Sequence, residues 1–171
     1  MPSTIEMIPE PLIEPNNRNS VVKPYVLSHG TLECYSLKES RRFYEEFLGL
    51  ECVRHGRRTM AVRCGLKFHI VCVEAGDKLH PVHVMNHWGV DVQSREEVDA
   101  AHEAAKRLKD EYKIRQIFDP VDQHGVYSFY LMDLDRNYWE VQYFDAGFQH
   151  DDFFDAGDRF PMDQVAPLTK T

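Results

Sequence analysis

The chain has no run of about 18 apolar residues, the length a membrane-crossing helix needs. Its opening, Met1-Pro2-Ser3-Thr4-Ile5-Glu6, lacks the basic-then-apolar order of a secretory signal. A cytoplasmic protein is the expectation. No basic cluster exceeds Arg57-Arg58, and the formal charge of -8 argues against nucleic acid or an anionic membrane as a partner. The four cysteines, Cys34, Cys52, Cys64 and Cys72, show no C-x-x-C spacing, and three sit in apolar, strand-like runs. Free buried thiols are expected in place of disulfides or a zinc knuckle. What remains is a 171-residue chain, long enough for one domain with a real core, and a small molecule or another protein as partner.

What the chain does contain is a repeat. His29-Gly-Thr-Leu-Glu-Cys-Tyr-Ser-Leu-Lys-Glu and His87-Trp-Gly-Val-Asp-Val-Gln-Ser-Arg-Glu-Glu start 58 residues apart and read alike. Each histidine leads an apolar/polar alternation, and seven residues on comes a serine three before a glutamate, Ser36/Glu39 and Ser94/Glu97. That spacing is the capping box of a helix start. With an offset of 71, Phe68 to Gly76 falls on Trp139 to Gly147, which lays His69 over Glu140. One supersecondary unit is written twice, with potential ligands at equivalent points.

Five of the nine prolines fall in the first 24 residues, so 1–24 reads as an extended arm. Periodicity then predicts a strand over 26–34, a helix from Glu39 to Leu48 stopped by Gly49, and strands near 51–54, 59–63 and 67–74. After a linker the order returns: strand 84–92, helix 95–109 with Val98, Ala101, Ala105 and Leu108 inward, and strands near 113–118, 126–132 and 138–144. The fold class expected is α+β, two tandem βαβββ modules (25–76 and 83–147) forming a curved mixed sheet around a metal cleft. These make one domain over 25–147, and 148–171 is an acidic, aromatic tail that reads as a docked lid, a dimer arm or a disordered end. Its His150, Phe153 and Phe154 are candidates for substrate contact.

Strand parity orients the histidines. If Val90 and Val92 pack under the helix, His87 points to the other face, and by the repeat so does His29. Around the turn Asp133-Leu134-Asp135-Arg136-Asn137, positions equidistant from Asp135 pair across the hairpin, which sets Tyr130 beside Glu140. Two imidazoles and a carboxylate converging from strands suit a divalent transition metal with open positions for substrate, so His29, His87 and Glu140 are the candidate metal ligands. The Asp133-x-Asp135-x-Asn137 run begins like a calcium loop. However, Tyr138 and Phe144 stand where glycine and glutamate are needed, and it reads as a turn.

His29, the stretch Arg42-Phe43-Tyr44-Glu45-Glu46-Phe47-Leu48-Gly49-Leu50, His87 and the hairpin from Tyr130 to Glu140 resemble the vicinal oxygen chelate superfamily. This group includes glyoxalase I, fosfomycin-resistance transferases, methylmalonyl-CoA epimerases, bleomycin-binding proteins and type I extradiol dioxygenases. Within it the chain looks most like the extradiol enzymes, which carry a histidine, an apolar-Tyr pair and a metal-binding Glu ten residues after the Tyr. Tyr130 and Glu140 keep that spacing, and His124 stands near the signature histidine, one residue closer to Phe129-Tyr130 than the usual minimum. Leu134 and Arg136 replace the usual Pro and Gly of the turn.

The resemblance implies His69 as acid/base beside the oxygen site, with Tyr130 and His124 holding substrate oxygens. It implies Fe(II) as cofactor, with Zn(II), Ni(II) or Mn(II) the alternatives, and a small aromatic diol with O2 as substrates. Trp88, Trp139, Phe129 and Tyr143 would suit an aromatic ligand, although strand aromatics also serve as plain core. A glyoxalase-type isomerase or lyase, with His69 as a fourth ligand, and a metal-free binder of the bleomycin-resistance kind are the competing expectations. A homodimer or higher homo-oligomer is expected, with the two modules paired within a chain or exchanged between chains.

Overall fold

A computed structural model describes residues 20–22, 24, 26–65, 67–123 and 125–145. The chain divides into two compact units, one over Pro24–Tyr143 and one combining Met1–Lys23 with Phe144–Thr171. The second falls almost wholly outside the described residues, as do His150, Phe153 and Phe154 of the expected tail.

Among the described residues, nine strands and two α-helices follow in the order β1 (His29–Cys34), α1 (Leu37–Arg42), β2 (Glu51–Arg54), β3 (Thr59–Arg63), β4 (His69–Glu74), β5 (His87–Asp91), α2 (Arg95–Arg107), β6 (Gln116–Ile117), β7 (Val121–Gln123), β8 (Val126–Met132) and β9 (Tyr138–Phe144). The first sheet has the order β1-β4-β3-β2 and the second β5-β9-β8-β6, with β7 also on β8. In each module the first strand runs parallel to the last, and in the first module the remaining pairs are antiparallel. The duplicated α+β architecture is therefore as the repeat implies. No described helix is long and apolar enough to cross a membrane.

Details depart from expectation for identifiable reasons. The first helix starts at Leu37 and is regular only to Arg42; Phe43–Phe47 form a wider π turn. The Leu48 N–H reaches the Phe43 carbonyl at 3.1 Å, and Gly49, at φ 68°, ends the run. The π turn buries Phe43 and Tyr44 together, with Phe47 stacked on Phe43 at 5.2 Å. In the second module the single strand expected over 113–118 is two, β6 and β7, both antiparallel to β8. Residues 118–120 lie opposite only Phe129 and Tyr130. This is a bulge at Asp119-Pro120, where proline has no N–H for the ladder.

One continuous core serves both modules. Leu32, Cys34, Met60, Val62, Ile70 and Cys72 from the first sheet join Phe129, Leu131, Trp139 and Val141 from the second. Cys34, Cys52 and Cys72 are buried and Cys64 is exposed, all as free thiols. Trp139 and Phe129, candidates for an aromatic pocket, are core residues at 1% and 0% exposure. Trp88 spans the modules beneath β1: a Cβ on Gly30 would lie 2.2 Å from its ring, so glycine is required for this approach.

A buried polar turn also joins the modules. Asp133 Oδ1 accepts the N–H groups of Asp135 and Asn137, and Oδ2 accepts Trp139 Nε1–H at 3.0 Å. Asp135 accepts the Tyr35 N–H at 2.7 Å and the Ser40 hydroxyl, and Asn137 Nδ2 donates to the Glu33 carbonyl. Burial, then the charge of Asp135, raises the Asp133 carboxyl to about 7 against the pull of its N–H donors. A carboxyl raised in the folded state stabilises the fold fully below its ordinary pKa, and that contribution is lost as pH climbs toward 7. Thermal unfolding should therefore show a loss of stability between pH 4 and pH 7 that Asp133→Asn flattens.

The two capping boxes differ as well. Ser94 accepts the Glu97 N–H, and Glu97 returns to the Gln93 N–H at 2.7 Å. Ser36 makes no side-chain cap; Leu37 N–H goes to Glu74 Oε2 instead, and Glu39 extends to Lys113. Ser94→Ala should then cost about 1 kcal/mol in urea unfolding, while Ser36→Ala should stay within roughly 0.5 kcal/mol, the range of substitutions that remove no specific contact.

Candidate metal centre

Each sheet has a face turned away from its helix. In β1 and β4 the residues Leu32, Cys34, Ile70 and Cys72 enter the core, so His29, Thr31, His69 and Val71 point to the opposite, site face. In the second module Trp139, Val141, Phe129 and Leu131 take the core side and leave Glu140, Ser128 and Tyr130 on the site face. His87 shares that face, one residue from the inward Trp88. Because Trp88 lies against Gly30 on the core side, the opening strands β1 and β5 meet within one chain.

The register differs between the modules. His29 stands directly across from His69, with ring centroids 5.6 Å apart and planes within 22°. His87 stands across from Tyr138, and Glu140 across from Gly89, a shift of two residues that the sequence repeat conceals. The longer glutamate reaches back along the strand, and its Oε2 comes to 3.1 Å from His87 Nε2. Thus the structure assembles two pairs, His29 with His69 and His87 with Glu140. Among the described residues no group of three or more His, Cys, Asp or Glu side chains is gathered closely enough to hold an ion. His29 is accordingly not in a closed triad with His87 and Glu140. His124 lies outside the described residues.

The His87–Glu140 pair has a defined polarity. His87 Nδ1 is 2.8 Å from the Val84 carbonyl, which can only accept, so Nδ1 carries a hydrogen and Nε2 presents its lone pair when the ring is neutral. A lone pair and a carboxylate oxygen 3.1 Å apart repel unless a proton or a cation lies between them. Imidazole nitrogen with carboxylate oxygen is a donor set suited to first-row divalent ions, so these residues fit a metal.

Tyr130 completes this cluster. Its ring meets His87 edge-on at 5.0 Å, its hydroxyl bonds to Glu140, and Gln123 Nε2–H donates to the phenol oxygen at 3.3 Å. Burial, then the Glu140 carboxylate, holds the phenol above its ordinary pKa, so Tyr130 stays protonated and donates to Glu140. The same carboxylate thus meets both Tyr130 and His87. The bulge at Asp119-Pro120, opposite Tyr130, lies between the helix side of β6 and Gln123 at the end of β7.

Two polar residues were not foreseen. Ser128, two residues from Tyr130 on the same face, is fully buried with a hydroxyl that has no hydrogen-bond partner among the described residues. His102, at an inner position of α2 next to the expected Ala101, is 5% exposed and edge-on to Phe129 at 5.1 Å. Its Nε2 makes no hydrogen bond among the described residues and lies 3.8 Å from Asp119 Oδ1. Alternation along β8 was enough to place Ser128; nothing in the helical pattern distinguished His102.

No family model and no curated protein matches the chain. Solved structures do. The fosfomycin resistance protein FosX of Listeria monocytogenes, determined with Mn(II) and sulfate, is 22% identical, with a TM-score of 0.56 over 71% of this chain and 92% of that one. A lactoylglutathione lyase from Agrobacterium tumefaciens is 21% identical, with a TM-score of 0.52 over 73% and 98%. A glyoxalase/bleomycin resistance protein/dioxygenase from Alicyclobacillus acidocaldarius is 19% identical, with a TM-score of 0.52 over 72% and 94%. At these identities the likeness establishes the fold: the chain has the glyoxalase/bleomycin resistance/dioxygenase, or vicinal oxygen chelate, fold. The activities named for these neighbours are several, and none is singled out.

Tyr130→Phe removes the donor that orients Glu140. It should weaken Mn(II) binding roughly 10-fold, as loss of an outer-shell partner does, measured by isothermal titration against the unaltered protein.

Proposed function

We propose that the protein is a divalent-metal enzyme acting on ligands that present two vicinal oxygens, and that its reaction is extradiol cleavage of a catechol-like diol by O2. The observation that carries this reading is His87 Nε2 facing Glu140 Oε2 at 3.1 Å, a gap that a divalent ion bridges in place of a proton, with Tyr130 bonded to the same carboxylate. His87 and Glu140 hold the ion, Fe(II) being the expected one, and His29 from the adjoining module completes the set. The bound metal supplies Lewis acidity toward the diol oxygens and a site for O2.

The chain's own residues do the rest. His69, half-buried beside His29, is a side-chain type able to accept a proton near neutral pH, and takes the second hydroxyl proton of the diol. Tyr130 in the other module gives its single hydroxyl proton to Glu140 and turns it to a substrate oxygen when the diol binds, and the Ser128 hydroxyl, without a partner among the described residues, is a further polar group on that face. An isomerase or lyase of the glyoxalase kind is the second reading. The direct His29–His69 register favours it, because two imidazoles side by side also suit a four-ligand site.

Anaerobic loading with Fe(II), then air and a panel of catechols, tests the proposal by oxygen uptake and a yellow ring-opened product. Stoichiometric iron with every catechol inert would sink it. His69→Ala separates the two readings: under the dioxygenase it keeps its iron and loses turnover by about 10²-fold or more, whereas under the isomerase its metal affinity falls.

A further inference from the structure

The strand registers fix which charged side chains face the site. In the second module none of the residues of β5, β6, β7, β8 or β9 is a lysine or arginine. In the first, the strands contain only Arg54 and Arg63. Arg54 is paired with the buried Met60 and so belongs to the helix side, where both line a small cavity with Leu37, Lys38 and Arg41. Among the described residues Arg63 is the one strand cation on the site face.

Arg63 also sits close to the imidazole pair. Val62 pairs with Ile70, so the next position along brings Arg63 beside His69, which in turn faces His29. Its guanidinium is committed elsewhere. Nε and Nη2 donate to the two carboxylate oxygens of Glu51 at 2.8 and 3.1 Å, across a register that sets these residues opposite one another. The two-pronged geometry uses the fork that a ligand carboxylate or phosphonate would need.

Carboxylates outnumber cations on the same face. Glu33 is bound by His80, Asp91 accepts from Gln142, and Glu140 stands with His87. With its strand cation already paired, the site face offers a second anionic group of a ligand no free strand cation, and its carboxylates disfavour such a group by like charge.

Resting on the metal site proposed above, we infer that this face accepts uncharged or cationic vicinal-oxygen ligands and rejects those bearing an additional anionic group, with Glu51 holding Arg63 out of service as an anion receptor. The acidic strands set the preference and Glu51 sets its sharpness.

The test uses the full chain loaded with Mn(II) and three hydroxamate probes, which chelate a divalent ion whatever the reaction. Benzohydroxamic acid, its 4-aminomethyl derivative and its 4-carboxy derivative are titrated at low and high salt. The neutral and cationic probes should bind at least about 10-fold more tightly than the carboxylate at low salt, with the gap narrowing as salt is added. Glu51→Gln, which frees Arg63, should strengthen binding of the carboxylate probe at least about 3-fold and leave the neutral probe unchanged; Glu51→Gln with Arg63→Gln should abolish that gain. Equal affinity of all three probes, preference for the carboxylate, or no binding by any of them overturns the inference. Failure of the dioxygenase reading shows separately, as inert catechols on a protein that still ranks the probes by charge.

Discussion

The turn between β8 and β9 directs its polar groups inward. Asp133 and Asp135 are nearly fully buried and form no salt bridge among the described residues; their carboxylates are satisfied by N–H and O–H donors from both modules. A buried acceptor left without donors costs about 1 to 3 kcal/mol, so the arrangement tolerates little displacement. The same turn fixes Trp139 through its indole nitrogen, and Trp139 is the neighbour of Glu140. The position of the candidate ligand on the site face thus follows from a hydrogen-bond network on the core side.

From that constraint the rest can be followed outward. Trp139 packs on Tyr44, at 5.5 Å between ring centroids, and so links the second hairpin to the first helix. Trp88 beneath Gly30 brings the opening strands together. Glu140 then reaches back to His87, Tyr130 orients the carboxylate, and Gln123 orients Tyr130 from a strand displaced by the bulge at Pro120. Packing contacts carry the first steps and hydrogen bonds the last, and they leave a histidine pair on one module and a histidine–glutamate pair on the other.

Much of this was legible in the amino-acid sequence because it depends on local pattern. The alternation after His29 and His87 gave their strands and their faces, and symmetry about Asp135 placed Tyr130 beside Glu140. What escaped depends on tertiary context. Ser36 and Ser94 sit in the same local motif, yet only Ser94 caps, because Glu74 supplies the acceptor at the other helix. The two-residue difference in register between the modules is invisible to a repeat that aligns each strand separately, and it decides that His29 meets His69 while His87 meets Glu140. The Asp133 run reads in the sequence only as a turn; its burial depends on donors from the other module, Tyr35 and Ser40. His102 occupies an inward position that the apolar pattern assigned to its neighbour.

The central proposal is that His87 and Glu140, with His29 from the other module, hold one divalent ion. Crystals grown with Mn(II) and measured at wavelengths on either side of the manganese absorption edge test it directly. The account predicts a single strong anomalous peak about 2.0–2.3 Å from His87 Nε2 and a Glu140 oxygen, with His29 turned toward it. A peak at another site, or none on that face at saturating Mn(II), contradicts it.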